Sequence, residues 1–155
     1  MNDPARNLRL YTCFQKIHVL LDDGDRRALN GIQLSTSQYH LLRHLGLNDN
    51  RGLTVGDLAA LLICTPSNAT RMVRRLEEQG FLDLRGDKVD RRIVWVFLSA
   101  AGQKIYQQAA LMHAESVERR MAALGAAGAG QLDEELKRMV ELLEDDLRRL
   151  PRSSG

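Results

Sequence analysis

Asn68, Arg71, Arg74 and Arg75 lie within eight residues of one another, and no acid interrupts the run from Thr65 to Leu76. Side chains of these types have two uses at a nucleic acid. Guanidinium groups neutralise phosphate, and at base edges arginine donates two bonds to guanine while asparagine pairs with adenine. Ser67 and Thr70 add hydroxyls nearby. A second basic group, Asp90-Arg91-Arg92, ends a short polar segment. Arg91 there suits a minor groove, whose negative potential attracts arginine, and Asp90 is placed to orient a neighbouring guanidinium. A competing use for the same face is docking on an acidic protein. An enzyme is not expected: the chain has no nucleophile elbow, no phosphate-cradling glycine loop and no His-Glu-x-x-His, and nothing calls for a cofactor.

The basic cluster needs a helix to present it. Thr65 is a good cap, Pro66 suits the first helical position, and Gly80 suits a left-handed terminator. Between them Ala69, Met72, Val73 and Leu76 recur at i, i+3, i+4 and i+7, a buried stripe. Ser67, Asn68, Thr70, Arg71, Arg74 and Arg75 are then turned outward, with no carboxylate until Glu77. Such a face does not repel phosphate, and the capped start aims backbone N–H groups at the same partner.

Elements on either side complete the frame. Residues 5–29 read as a helix with Leu10, Phe14, Ile17 and Leu21 inward. Ser35 with Gln38 forms a capping signal, Leu34 can staple against Tyr39, and Gly46 is expected to end the helix carrying Leu41, Leu42 and Leu45. Thr54 with Asp57 repeats the signal before a short helix. Phe81–Arg85 and Ile93–Leu98 read as two strands of a hairpin with a charged tip. Ser99 caps a long helix with Ile105, Ala109, Met112, Val117, Met121 and Leu124 inward. Residues 125–130, glycine and alanine only, read as a linker. A last helix places Leu132, Leu136, Met139, Leu143 and Leu150 on one coiled-coil-like seam. The fold expected is mainly α with a small β hairpin: two short helices and a tight turn, followed by a wing.

A chain of 155 residues can build a core without staples, and 44% hydrophobic with 27% charged residues is ordinary for a soluble domain. No apolar run reaches membrane-span length and the N-terminus does not resemble a secretory signal, so a cytoplasmic protein with no membrane partner is expected. The net charge of +2 is uninformative, but its distribution is not: from Gln131 to Leu150 seven acids face four bases. Positive charge is local to the capped basic helix.

The segment from Leu34 to Gly102 resembles the MarR (multiple-antibiotic-resistance regulator) family of winged helix-turn-helix proteins. The resemblance is carried by Leu34-Ser-Thr-Ser-Gln-Tyr-His-Leu-Leu42, Thr54-Val-Gly-Asp-Leu-Ala-Ala-Leu-Leu62, Ser67 to Glu78 with Gly80-Phe-Leu82, and Asp90-Arg-Arg92 running through to Ser99-Ala-Ala-Gly102. It implies one domain over 1–155, with 34–98 the winged helix-turn-helix region and 5–33 and 99–150 dimerisation helices. It implies a homodimer on palindromic double-stranded DNA, acting as a repressor released by a small ligand or an oxidant. Thr65, Ser67, Asn68, Thr70, Arg71, Arg74, Arg75, Asp90, Arg91 and Arg92 are then the expected DNA contacts. Tyr11, Phe14, His18, Tyr39 and Trp95 are candidates for an effector pocket, although aromatics at helical spacing are core more often than ligand box.

Cys13 is the candidate redox residue, because a peroxide-sensing branch of that family uses a cysteine near the start of its first helix. Against it, a lone helical cysteine usually packs as a small hydrophobe, and Lys16 is its one nearby cation. Cys64 is expected to pack in a turn. His40 and His44 share a helix face at a zinc-compatible spacing, but with no third ligand they read as paired surface residues and no metal is expected. His18 and His113 have no visible partner. Ile93, Trp95 and Phe97 give their strand a second apolar face, for which the first helix is the expected cover.

Overall fold

The computed structural model describes residues 3–49, 51–90 and 92–150, apart from the side chains at 126 and 127. Its elements are α1 (Pro4–Ala28), α2 (Thr36–Leu47), β1 (Leu53–Thr54), α3 (Val55–Leu61), α4 (Pro66–Glu78), β2 (Leu82–Gly86), β3 (Val94–Leu98), α5 (Ala100–Met121), a 3-10 turn (Ala122–Leu124) and α6 (Gly125–Arg149). The chain divides into two compact units, one up to Ser116 and one from Val117.

Helix starts in the first unit follow local chemistry. Ser35 Oγ accepts from the Gln38 N–H (3.2 Å) while Gln38 Oε1 accepts from the Ser35 N–H (2.9 Å), so two otherwise unpaired donors are satisfied together. Thr54 and Asp57 repeat the arrangement at α3, and the Thr54 hydroxyl and N–H hold the Asp57 carboxyl below its usual range. α2 does not end at Gly46 but continues to Leu47 with Asn48 as its cap. Gly46 is needed for packing instead, since a Cβ there would run into the Tyr106 ring.

Tyr39, Leu41, Leu42 and Leu45 of α2, Leu58 of α3, Val73 and Leu76 of α4, and Leu82, Val96 and Leu98 of the sheet form one buried cluster, joined by Leu29, Leu34 and Ala109. The sheet is antiparallel with order β1-β3-β2, and its β1 strand, Leu53 opposite Val96, was not anticipated from sequence. Leu82 pairs with Leu98 and Leu84 with Val96, which puts the apolar alternation of both hairpin strands on the core side. The other face of β3 is partly covered, at Trp95 and Phe97, by neighbours of the sheet where the first helix was expected, and Ile93 is exposed. Arg85 stacks over Phe97 at 4.6 Å, Gly52 lies against the same ring, and Trp95 bonds to Asp87.

α1 buries none of its residues in this single chain; Leu8, Leu10, Tyr11, Ile17, Val19, Leu20 and Leu21 are exposed. In the second unit the expected linker is helical, because α6 begins at Gly125, whose φ of 66° turns the chain out of the preceding 3-10 turn. Alanine is the strongest helix former, and here it outweighs the glycines. Leu132, Leu136, Leu143 and Leu150 along α6 are exposed. Among the described residues no helix is long and apolar enough to cross a membrane.

Candidate nucleic-acid interface

α4 is fixed at both ends and along one face. Thr65 Oγ1 accepts from the Asn68 N–H (3.3 Å), and Pro66 occupies the first turn. At the other end Gly80, at φ 78°, lets its N–H reach the Glu77 carbonyl and the Phe81 N–H reach the Leu76 carbonyl, which closes the last turn. Ala69, Val73 and Leu76 are buried. Burying Val73 and Leu76 contributes about 1.5–3 kcal/mol each, several times what an exposed side-chain pair contributes, so the core decides which face of α4 looks outward.

That outward face holds Ser67, Asn68, Arg71, Arg74 and Arg75, all exposed, with Thr70 half-buried beside them. An open trough of about 650 Å³ runs along it, lined by Pro66, Ser67, Thr70, Arg71, Arg74, Arg75 and Glu78. Two side chains are already committed: Arg71 Nη2 donates to Asn68 Oδ1 (3.0 Å), and the Thr70 hydroxyl donates to the Pro66 carbonyl (2.8 Å). Arg74 and Arg75 have no ion pair among the described residues.

The wing is organised by Asp87, a residue the sequence reading passed over. Its Oδ1 accepts from the Val89 (2.8 Å) and Asp90 (3.0 Å) N–H groups, and its Oδ2 accepts from Trp95 Nε1 (2.9 Å). These bonds, the Asp90 N–H foremost and then the indole, hold the Asp87 carboxyl below its usual range. A Gly-Asp pair entering a polar tip is the signature of such a side-chain turn, so the signal was present. Asp90 turns its Oδ1 to the Arg92 N–H (2.9 Å). Arg92 is exposed, and Arg91 lies outside the described residues. The wing base is tied to the end of α4 through Ser99, whose hydroxyl donates to the Gly80 carbonyl (2.6 Å) and accepts from the Gly102 N–H (2.9 Å).

The effector candidates do not gather. Tyr11 and His18 are exposed on α1, with Phe14 half-buried; Tyr39 is a core residue, and Trp95 is held in the wing. A smaller cavity, about 270 Å³, is lined by Ser37, His40, His44, Leu61, Leu62, Ile63, Cys64 and Met72, none of them among those candidates. His40 and His44 are thus half-buried rather than surface residues, and burial pushes both imidazoles below the usual histidine range. His113 does have a partner: its Nε2 lies 3.3 Å from Asp25 Oδ1, and its ring lies 4.9 Å from Tyr39. Sequence separation hid that contact between α1 and α5. Cys13 is exposed and Cys64 half-buried. Among the described residues no three or more His, Cys, Asp or Glu side chains are grouped to hold a metal.

Residues 34–94 match the model of the MarR family. The chain is 30% identical over 100 residues to the transcriptional activatory protein BadR of Rhodopseudomonas palustris, a match that covers 64% of this chain and 55% of BadR. It thus spans about half the length of that curated relative. Its fold is similar to that of Sco3205, a MarR family regulator of Streptomyces coelicolor solved in complex with DNA, with a TM-score of 0.81 and 22% identity over 100% of this chain and 95% of that one. It is also similar to Bordetella bronchiseptica BpsR, from a study of DNA-binding regulation by 6-hydroxynicotinic acid, with a TM-score of 0.76 and 16% identity over 85% and 98% of the two chains.

Proposed function

We propose that the chain, whose residues 34–94 match the MarR family, is a MarR-type, sequence-specific DNA-binding regulator of transcription, with α4 entering the major groove and the wing following the backbone beside it. The observation that carries this is the outer face of α4, which has no acid before the Glu77–Glu78 end of the helix and on which Arg71, Arg74 and Arg75 stand exposed while Ala69, Val73 and Leu76 hold the opposite face in the core. Thr65, Ser67, Asn68 and Thr70 complete that contact surface, and Asp90, Arg91 and Arg92 form the contact at the wing.

The working form is a homodimer. The apolar residues of α1 and the Leu132-Leu136-Leu143-Leu150 seam of α6 are exposed in one chain, and a second copy covers both. A dimer also sets two α4 helices on a palindrome about one helical turn apart. It acts as a repressor released by a small effector; BpsR, whose DNA binding is regulated by 6-hydroxynicotinic acid, supports a ligand of that size. The second reading is activation, favoured by the description of BadR as activatory.

The test is retention of fragments of the source genome by the purified protein against excess non-specific competitor, with its mass measured in solution. A dimer holding discrete fragments is expected, and Leu136→Asp in the α6 seam should yield monomers and lose the fragments. A protein that stays monomeric, or that releases all fragments to competitor, refutes the reading. Transcription from a retained fragment then gives the sign of regulation.

A further inference from the structure

We propose that Asn68 and Arg71 act as one donor unit that selects guanine, and against adenine, at one base pair of each half-site; this rests on the reading of α4 as the groove-entering helix. A guanidinium has donors only, so the asparagine atom 3.0 Å from Arg71 Nη2 must be the carbonyl oxygen Oδ1. That contact fixes the amide. Asn68 turns its Nδ2 away from Arg71, and among the described residues no group accepts from the two N–H groups of that nitrogen, which are left for a partner.

Asparagine recognises adenine by offering Oδ1 to the N6 amino group and Nδ2 to N7. In this structure Oδ1 already serves Arg71. Its second lone pair remains, but an adenine amino group approaching it would bring a donor against the adjoining cation. Guanine presents N7 and O6 in the major groove, two acceptors and no donor, and it matches a surface made of Asn68 Nδ2 and the remaining guanidinium N–H groups.

Thr70 sharpens the contrast on the same face. Its hydroxyl hydrogen is committed to the Pro66 carbonyl at 2.8 Å, so it offers its methyl group and oxygen lone pairs. It therefore suits the thymine methyl or the cytosine amino group, and leaves guanine to the Asn68–Arg71 unit. Reading Asn68 on its own, as the sequence invites, predicts adenine; the side-chain pairing reverses the choice.

The experiment is selection of binding sites from a randomised duplex library by the full-length protein, followed by affinity measurement on the selected site and on a copy with guanine changed to adenine. The wild type is expected to enrich one guanine symmetrically in each half-site, with a preference over adenine of on the order of tenfold or more. Asn68→Ala and Arg71→Lys should each lower that ratio severalfold at the same base pair. An enriched site with adenine there, an unchanged ratio in Asn68→Ala, or the two variants acting at different base pairs overturns this inference alone. A wild type that enriches no sequence overturns the underlying reading of α4 as well.

Discussion

Removing one arginine from each α4 should change how binding responds to salt, and by an amount that can be worked out. Arg74 is exposed, has no ion pair among the described residues, and sits between buried Val73 and Leu76 on a helix the core holds in place. Arg74→Ala leaves that core untouched, and alanine is at least as good a helix former, so folding should be preserved. The proposed dimer loses two such charges. Each phosphate neutralised contributes about 0.9 to the slope of log affinity against log salt, so the variant's slope should be shallower by about 1.8. Over a fourfold rise in salt, from about 50 to 200 mM, the wild type should therefore weaken roughly twelvefold more than Arg74→Ala. Anisotropy titration of a labelled operator at several salt concentrations reads both slopes directly. An unchanged slope would mean that Arg74 meets no phosphate. A reduction of only about 0.9 would mean that a single copy engages, which contradicts symmetric docking of two subunits.

Two further predictions concern the frame around that helix. The Asp87 carboxyl is held below its usual range, so the stability it lends the wing is present above the unfolded value of about 3.9 and is lost as pH falls through the lower folded value. Trp95, the only tryptophan, reports on this bond: its emission should shift in acid in the wild type, and the shift should disappear in Asp87→Asn. An identical acid transition in both proteins would remove Asp87 from the account. Gly102→Ala places a Cβ against the Phe81 carbonyl at the corner joining α4 to α5 and should destabilise by about 1–3 kcal/mol in urea unfolding. A change below about 0.5 kcal/mol would mean that the corner relaxes freely.

Legibility from sequence followed the range of the interaction responsible. Ser35 with Gln38, Thr54 with Asp57, and the Thr65 cap with Gly80 are satisfied within one turn of helix, so the residue types alone announced them. The alternation of Leu82 and Leu84 against Val96 and Leu98 likewise placed the hairpin, although β2 begins and ends one residue later than expected and β3 begins one residue later. Gly46 misled because a glycine near a helix end has two uses, termination and close approach, and the deciding neighbour, Tyr106, is sixty residues away. Asp25 with His113, and the cavity that collects His40, His44 and Cys64, depend in the same way on chain segments that meet only after folding.

Sequence alone determined that one helix presents an arginine face with no carboxylate before its last residues, because apolar spacing fixes which side must turn inward and the remaining residue types follow. It also determined the caps and the hairpin, whose partners are neighbours along the chain. Tertiary structure decided what covers the second face of β3, which glycine packs and which terminates, and how half-buried histidines pair. Choices between bonding partners were decided there too: spacing allows Asn68 to face Arg71, but only the folded arrangement fixes that its oxygen is already engaged and its donors are what remain. The physical reason is that local patterning sets direction, whereas hydrogen-bond capacity is finite and is assigned only when all competing partners are in place.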